Sequence, residues 1–190
     1  MKTKEVEKLI LKIAIKVAKR GEGGMIILGD KLRDYNFLVN QDIKPFKLSD
    51  NPKTAESLIM QDGALWVGKH GIIKGYGVAM KKITPILNKG TRHGSAIYCS
   101  KLGNKVFLIS QEDKNVKIYY KGELVMQIDA TKKGINKVIS PAVNFLEVAG
   151  IGGIASIVAP IIGLTGITLI PGIVIFGIPY FVLKSLIKRK

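Results

Sequence analysis

The chain has 190 residues and a formal net charge of +16, from 30 Lys and Arg against 14 Asp and Glu. That charge predicts attraction to anions, whether nucleotides, nucleic acid or an anionic membrane surface. A single cysteine, Cys99, excludes an internal disulfide, and one Cys with two histidines, His70 and His93, cannot build a four-ligand structural zinc site. In chain order, Val6, Leu9, Ile10, Ile13 and Val17 recur at helical spacing among Lys8, Lys12, Lys16 and Lys19, which predicts an amphipathic helix that could lie on a membrane but reads first as packed on a sheet. Lys12 and Lys16 interrupt its apolar side, so no secretory signal is expected there.

Gly24–Gly29 is an apolar run closed by glycine, which reads as a buried strand. Residues 30–52 are polar and irregular, and 54–60 read as a short helix. Two strands, 64–67 and 72–78, are expected around a turn at 68–71. Pro85 interrupts the next stretch. A helix from about Gly94 to Leu102, stopped by Gly103, leads to strands 105–110 and 116–120 with turns between and after them. Strands and helices interleave, so the fold class is α/β with a mixed central sheet flanked by helices. His70 reads as a turn residue. Trp66 and Tyr76 could stack on a base but read first as packing residues, and Cys99 as a residue buried in its helix.

The chain changes character near residue 140. From Val148 to Leu183 no residue is charged. That run suits two short membrane spans, about 143–163 and 167–187, joined at Gly163–Gly166. The Ile, Leu, Val and Phe residues between 167 and 183 would contribute on the order of −3 to −7 kcal/mol of insertion before Gly and Pro corrections. Lys132, Lys133 and Lys137 precede the run, and Lys184, Lys188, Arg189 and Lys190 come after it. By the positive-inside tendency both ends face the cytoplasm, giving a multi-pass hairpin in the cell membrane with the preceding domain cytoplasmic. One span with a re-entrant segment, for which Pro160, Pro171 and Pro179 speak, and a glycine-rich core are the alternatives. The expected division is 1–135 for the α/β domain and 136–190 for the membrane anchor.

Three loops carry chemistry. Asp62-Gly63-Ala64 precedes a strand, and Thr91-Arg92-His93-Gly94 precedes a helix that the Thr91 hydroxyl can cap. Such a helix start offers backbone N–H groups to an anion, and Arg92 adds a fork matched to phosphate oxygens. Ser110 and Glu112 lie at a third strand end. All three loops can meet at one sheet edge.

"DGA" at 62–64, "GTRHGSA" at 90–96 and "LISQE" at 108–112, in that order, resemble the diadenylate cyclases, over roughly residues 5–130. The resemblance implies condensation of two ATP into cyclic di-AMP and pyrophosphate by a nucleotidyltransferase. Asp62 matches the catalytic aspartate near the ribose 3′-hydroxyl and the metal. Gly63 and Ala64 match the nucleotide-lining residues, and Thr91, Arg92 and His93 the phosphate-binding triplet, Arg92 and His93 being counted with the catalytic groups. Ser110 matches a serine near the phosphates, and Glu112 a carboxylate that with Asp62 holds Mg²⁺ or Mn²⁺. Gln61, Gly94 and Gln111 depart from the family pattern, where histidine, arginine and an acid are frequent. These departures bear on metal geometry and turnover more than on ATP binding.

The implied partners are ATP, membrane lipid at the C-terminal hairpin, and a second copy of the chain face to face, because a two-fold symmetric product needs one ATP from each subunit. No base-stacking or groove-reading elements stand out, so no nucleic acid is expected. The other readings are an ATP-binding membrane module without catalysis and a basic membrane hairpin protein without enzymatic activity.

Overall fold

The computed structural model describes residues 1–83, 90–151 and 173–175. The elements are α1 (Thr3–Lys19), β1 (Gly24–Leu28), β2 (Tyr35–Phe37), α2 (Pro52–Ile59), β3 (Ala64–Val67), β4 (Ile73–Met80), α3 (Thr91–Lys101), β5 (Lys105–Ser110), β6 (Asn115–Tyr120), β7 (Glu123–Asp129), a 3-10 turn (Ile135–Val138), α4 (Ile139–Ile151) and β8 (Ile173–Ile175). The strand order is β2-β4-β3-β1-β5-β6-β7-β8. Among the described strands only β1 and β3 run parallel, and every other neighbouring pair is antiparallel. This is the mixed α/β sheet the interleaved pattern predicts.

The sheet is covered on both faces. Val6, Ile10, Ile13, Ala14 and Val17 of α1 pack with Ile26, Leu65, Phe107 and Ile118 in the larger core, which also takes Ala55, Leu58 and Ile59 of α2 and Ala142, Val143 and Leu146 of α4. On the other face Ala96 and Cys99 of α3 pack with Met25, Ile27, Val78 and Leu108. Burial on two faces explains why β1 is apolar throughout rather than alternating.

Besides β8, two strands were not apparent in the sequence. The three-residue β2 sits at the edge of the sheet and takes its pairing from β4. The seven-residue β7 comes after the turn at Lys121-Gly122 and pairs with β6. Trp66 has a structural tie: its Nε1 donates to the Gly29 carbonyl at 2.8 Å, and its ring meets Tyr35 edge-on. Tyr76 donates its hydroxyl to the Asn40 carbonyl at 2.8 Å. Cys99 is buried, and burial pushes its thiol up to about 12, so it stays protonated.

Among the described residues no helix is long and apolar enough to cross a membrane. The segment 143–163 expected as a first span is described only as far as the end of α4 at Ile151. Of the second, 167–187, only Ile173–Ile175 are described, and these are not helical: they pair antiparallel with Ile128, Gln127 and Met126 of β7. An Ile-Val-Ile run is β-branched, and the outer edge of β7 offers it unpaired N–H and C=O groups. The helical expectation is corrected at those three positions. The remainder of both spans, like Pro85, lies outside the described residues.

Candidate active site

Register decides which loops meet. Gly24 pairs with Ile109, which sets Gly23 opposite Ser110, and the parallel pairing of β1 with β3 puts their N-terminal ends side by side. The Asp62-Gly63 turn before β3, the glycines before β1 and the Ser110–Asp113 turn after β5 therefore share one edge of the sheet.

The Asp62 turn is built on a glycine stack. Gly63 has φ +90, and a Cβ there would lie 2.5 Å from the Gly77 carbonyl carbon in β4. Gly77 has φ +61, and a Cβ on it would lie 2.7 Å from Val39 Cγ2. Only hydrogen fits at either position. Asp62 projects from this turn with its side chain 89% exposed. Ala64 is buried at the start of β3.

The helix at the second loop begins earlier than expected. α3 starts at Thr91, with Gly90 as N-cap and no side-chain capping bond. Thr91 is thus the first helical residue and not the cap, a correction to the sequence reading. The reason is tertiary: Gly94 is tolerated inside the first turn because it is buried against the core. Thr91, Arg92 and His93 consequently occupy one helical turn, whose leading N–H groups have no helical acceptor. His93 is half-buried, and its backbone N–H donates to the Gly90 carbonyl at 3.0 Å.

Arg92 joins the loops. Its Nη2 lies 3.7 Å from Asp62 Oδ1. Its Nη1 lies over Gly23, where an added Cβ would come within 3.1 Å of it and 3.5 Å of Gln111 Cβ. One guanidinium thus reaches the turn before β3 and the residue before β1, and Gln111 of the turn after β5 borders Gly23 as well. Gly23 was missed by the sequence reading; its only signal is the glycine-rich stretch Gly21-Glu22-Gly23-Gly24 ahead of a strand.

Ser110 and Glu112 behave differently. The Ser110 hydroxyl donates to Asp113 Oδ2 at 3.2 Å and accepts from the Asp113 backbone N–H at 3.3 Å. Lys117 Nζ donates to the same Asp113 carboxylate at 2.7 Å and, with the Ser110 bond, holds it below the usual carboxylate range. Glu112 is exposed in that turn. Asp113, unremarked in the sequence, is the residue that fixes the turn.

Among the described residues no three His, Cys, Asp or Glu side chains cluster as a metal cage. An exposed carboxylate beside an arginine suits a different arrangement, in which Mg²⁺ or Mn²⁺ arrives with a triphosphate and takes one or two protein oxygens. The donors present fit a metal held in that way.

A family profile described as "DisA bacterial checkpoint controller nucleotide-binding" matches residues 12–124, more than half of the chain. No curated protein matches. Among solved structures, a double mutant of DacA from Staphylococcus aureus aligns with a TM-score of 0.50 at 14% identity, covering 78% of this chain and 97% of that one. A hypothetical membrane spanning protein from Bacillus cereus aligns at 19% identity and a TM-score of 0.46 over 61% of this chain, which spans 60% of that protein's chain. The DacA likeness bears on the fold, and the profile on the family.

Proposed function

Since the chain belongs to the diadenylate cyclase family and carries its nucleotide-binding domain, we propose that it condenses two ATP molecules into cyclic di-AMP and pyrophosphate. The observation that carries this reading is the single guanidinium of Arg92, 3.7 Å from Asp62 and directly over Gly23. A triphosphate laid over Gly23 would meet Arg92 and the start of α3 together, with the Asp62 carboxylate beside it.

Position and chemistry support the following residue roles. Arg92 and the first turn of α3, with Thr91 and His93, hold phosphate oxygens and stabilise charge that grows as pyrophosphate departs. Asp62 accepts or directs the proton of the attacking ribose 3′-hydroxyl. The Gly63 turn, leading into Ala64, allows the backbone to approach the nucleotide, and Ser110 borders the phosphates. Asp62 and Glu112 would hold Mg²⁺ or Mn²⁺ together with the ATP phosphates, and the ion would supply Lewis-acid stabilisation of phosphate charge. Each subunit brings one ATP, so two copies face each other with these loops opposed. Attachment to the cell membrane through the uncharged stretch 148–183, apart from Ile173–Ile175 in the sheet, is part of the same proposal, with the domain on the cytoplasmic side.

The test is incubation of the purified full chain with ATP and Mn²⁺, with the product separated by chromatography. Cyclic di-AMP that disappears in Asp62→Asn supports the reading, and so does activity rising more steeply than linearly with enzyme concentration where dimers are scarce. ATP binding with no product at any concentration favours a second reading, an ATP-binding module without turnover, for which the commitment of the Ser110 hydroxyl to Asp113 speaks.

A further inference from the structure

α1 buries nearly everything except its lysines. Val6, Glu7, Ile10, Leu11, Ile13, Ala14, Ile15, Val17 and Ala18 are buried, while Lys4, Lys8, Lys12, Lys16 and Lys19 are exposed. At about 100° per residue, Lys8, Lys12 and Lys19 project within an arc of about 40°, along a line about 16 Å long. Lys4 and Lys16 flank that arc, one on each side.

The flanking lysines are paired, and those at the centre are not. Lys4 meets Glu147 of α4 at 3.0 Å, and Lys16 meets Glu56 of α2 at 2.8 Å. No ion pair among the described residues involves Lys8, Lys12 or Lys19. The remaining acid exposed on α1, Glu5, sits at its N-terminal end and accepts from the Lys2 backbone N–H at 3.1 Å. The two elements beside α1 contribute no carboxylates other than Glu56 and Glu147, both already engaged. A solvated helix face is commonly laced with pairs of both signs; on this one the acid Glu5 stands only at the N-terminal end, and from Lys8 to Lys19 the face carries a single sign.

Position gives the row its partner. Lys4–Glu147 and the Lys105 bond to the Leu146 carbonyl bring the C-terminal part of α4 beside the N-terminal part of α1. The sequence that is uncharged through Leu183 begins there, at Val148. The site lies beyond the other end of α1, where Gly23 precedes β1. We propose that the Lys8–Lys12–Lys19 face of α1 rests on an anionic lipid bilayer, with the apolar sequence that begins at Val148 supplying the second attachment. An apolar segment and a basic patch together anchor far more firmly than either alone. In this posture the Asp62–Arg92 edge stays to the side of the bilayer, open to nucleotide. The inference rests on the proposed membrane attachment of 148–183.

The experiment is partitioning of the purified full chain onto phosphatidylcholine vesicles with and without phosphatidylglycerol. Three chains are compared: wild type, Lys8→Gln/Lys12→Gln/Lys19→Gln, and a charge-matched control, Lys44→Gln/Lys101→Gln/Lys121→Gln, with folding checked by circular dichroism. The expected result is a preference of wild type and control for phosphatidylglycerol that the α1 triple variant loses, at about fivefold per lysine and on the order of a hundredfold for three. Equal loss in both triple variants, or loss in neither, overturns the inference while leaving attachment through 148–183 standing. Wild type that partitions onto neither vesicle removes the attachment itself, and this inference with it. A duplex RNA that binds wild type but not the α1 variant, with vesicle partitioning unchanged, also overturns it and gives the face to nucleic acid.

Discussion

The guanidinium of Arg92 and the carboxylate of Asp62 lie 3.7 Å apart, although thirty residues of chain separate them. Both side chains are substantially exposed, so the pair contributes only about 0–1 kcal/mol to stability. A pair that weak is readily exchanged for a ligand: phosphate can take the arginine, and a hydroxyl or metal the aspartate.

Arg92→Ala should therefore separate function from stability. Removal of a donor aimed at developing phosphate charge typically costs about a hundred- to a thousandfold in rate, while the thermal midpoint should move by no more than about four degrees. Steady-state cyclase rates and a melting curve on the same preparation check both halves. A large fall in the melting point would make Arg92 a structural residue.

Gly23→Ala probes the third loop. The added methyl meets the tip of Arg92 at 3.1 Å, and a flexible tip can move. The fold should survive, but the guanidinium should leave its place beside Asp62 and over Gly23. ATP affinity measured by titration should fall, and activity with it, at nearly unchanged urea midpoint. Unaltered binding would show that Arg92 is not held there by the small residue.

Gly63→Ala and Gly103→Ala form a controlled pair. Both glycines have φ near +90, but a Cβ on Gly63 strikes β4 backbone at 2.5 Å, whereas one on Gly103 has nothing within 4 Å. The left-handed backbone alone costs an L-residue about 1–2 kcal/mol, and packing strain adds about 1–3 more. Chemical denaturation should show Gly103→Ala losing only the first amount and Gly63→Ala losing both. Equal losses would mean that β4 yields freely to the turn.

What the sequence discloses here is what depends on neighbouring residues. The spacing of Val6, Ile10, Ile13 and Val17 predicts α1 because a helix buries every third or fourth residue, and the apolar run at 24–28 predicts β1 because both faces of that strand are covered. The loops of Asp62, Arg92 and Ser110 are visible because their three short motifs, in that order, resemble those of one family. β2 is invisible because its three residues are held by β4 rather than by a pattern of their own. The start of α3 shifts because Gly94, a helix breaker by propensity, is buried by tertiary packing. Gly23 and Gly77 matter only through what lies above them, which no local pattern records. Burial of Glu7 is hidden for the same reason, since its partner stands ninety-eight residues away.

Glu7 gives the pH prediction. It is fully buried in α1, and Lys105 Nζ donates to its Oε1 and to the Leu146 carbonyl at 3.1 Å, tying β5 to α1 and α4. Its other oxygen, Oε2, has no partner among the described residues. Burial raises the carboxyl above its ordinary value of 4.5, outweighing the opposing charge and hydrogen bond of Lys105. Above that ordinary value the folded chain thus holds a proton that the unfolded chain has released. The contribution of Glu7 to stability is complete below the unfolded pKa and is lost as pH rises through the folded one. Urea unfolding at a series of pH values should show wild type losing stability relative to Glu7→Gln as pH rises from about 4.5 toward neutrality. Lys105→Met should cost about 3–5 kcal/mol at neutral pH by stranding a buried charge. That cost should shrink in acid, where Glu7 is protonated, and shrink again at neutral pH when Glu7→Gln is added. A wild-type-to-Glu7→Gln difference that stays flat across the series would mean that Lys105 keeps the carboxyl at its unfolded value, and that burial is fully offset by the pair.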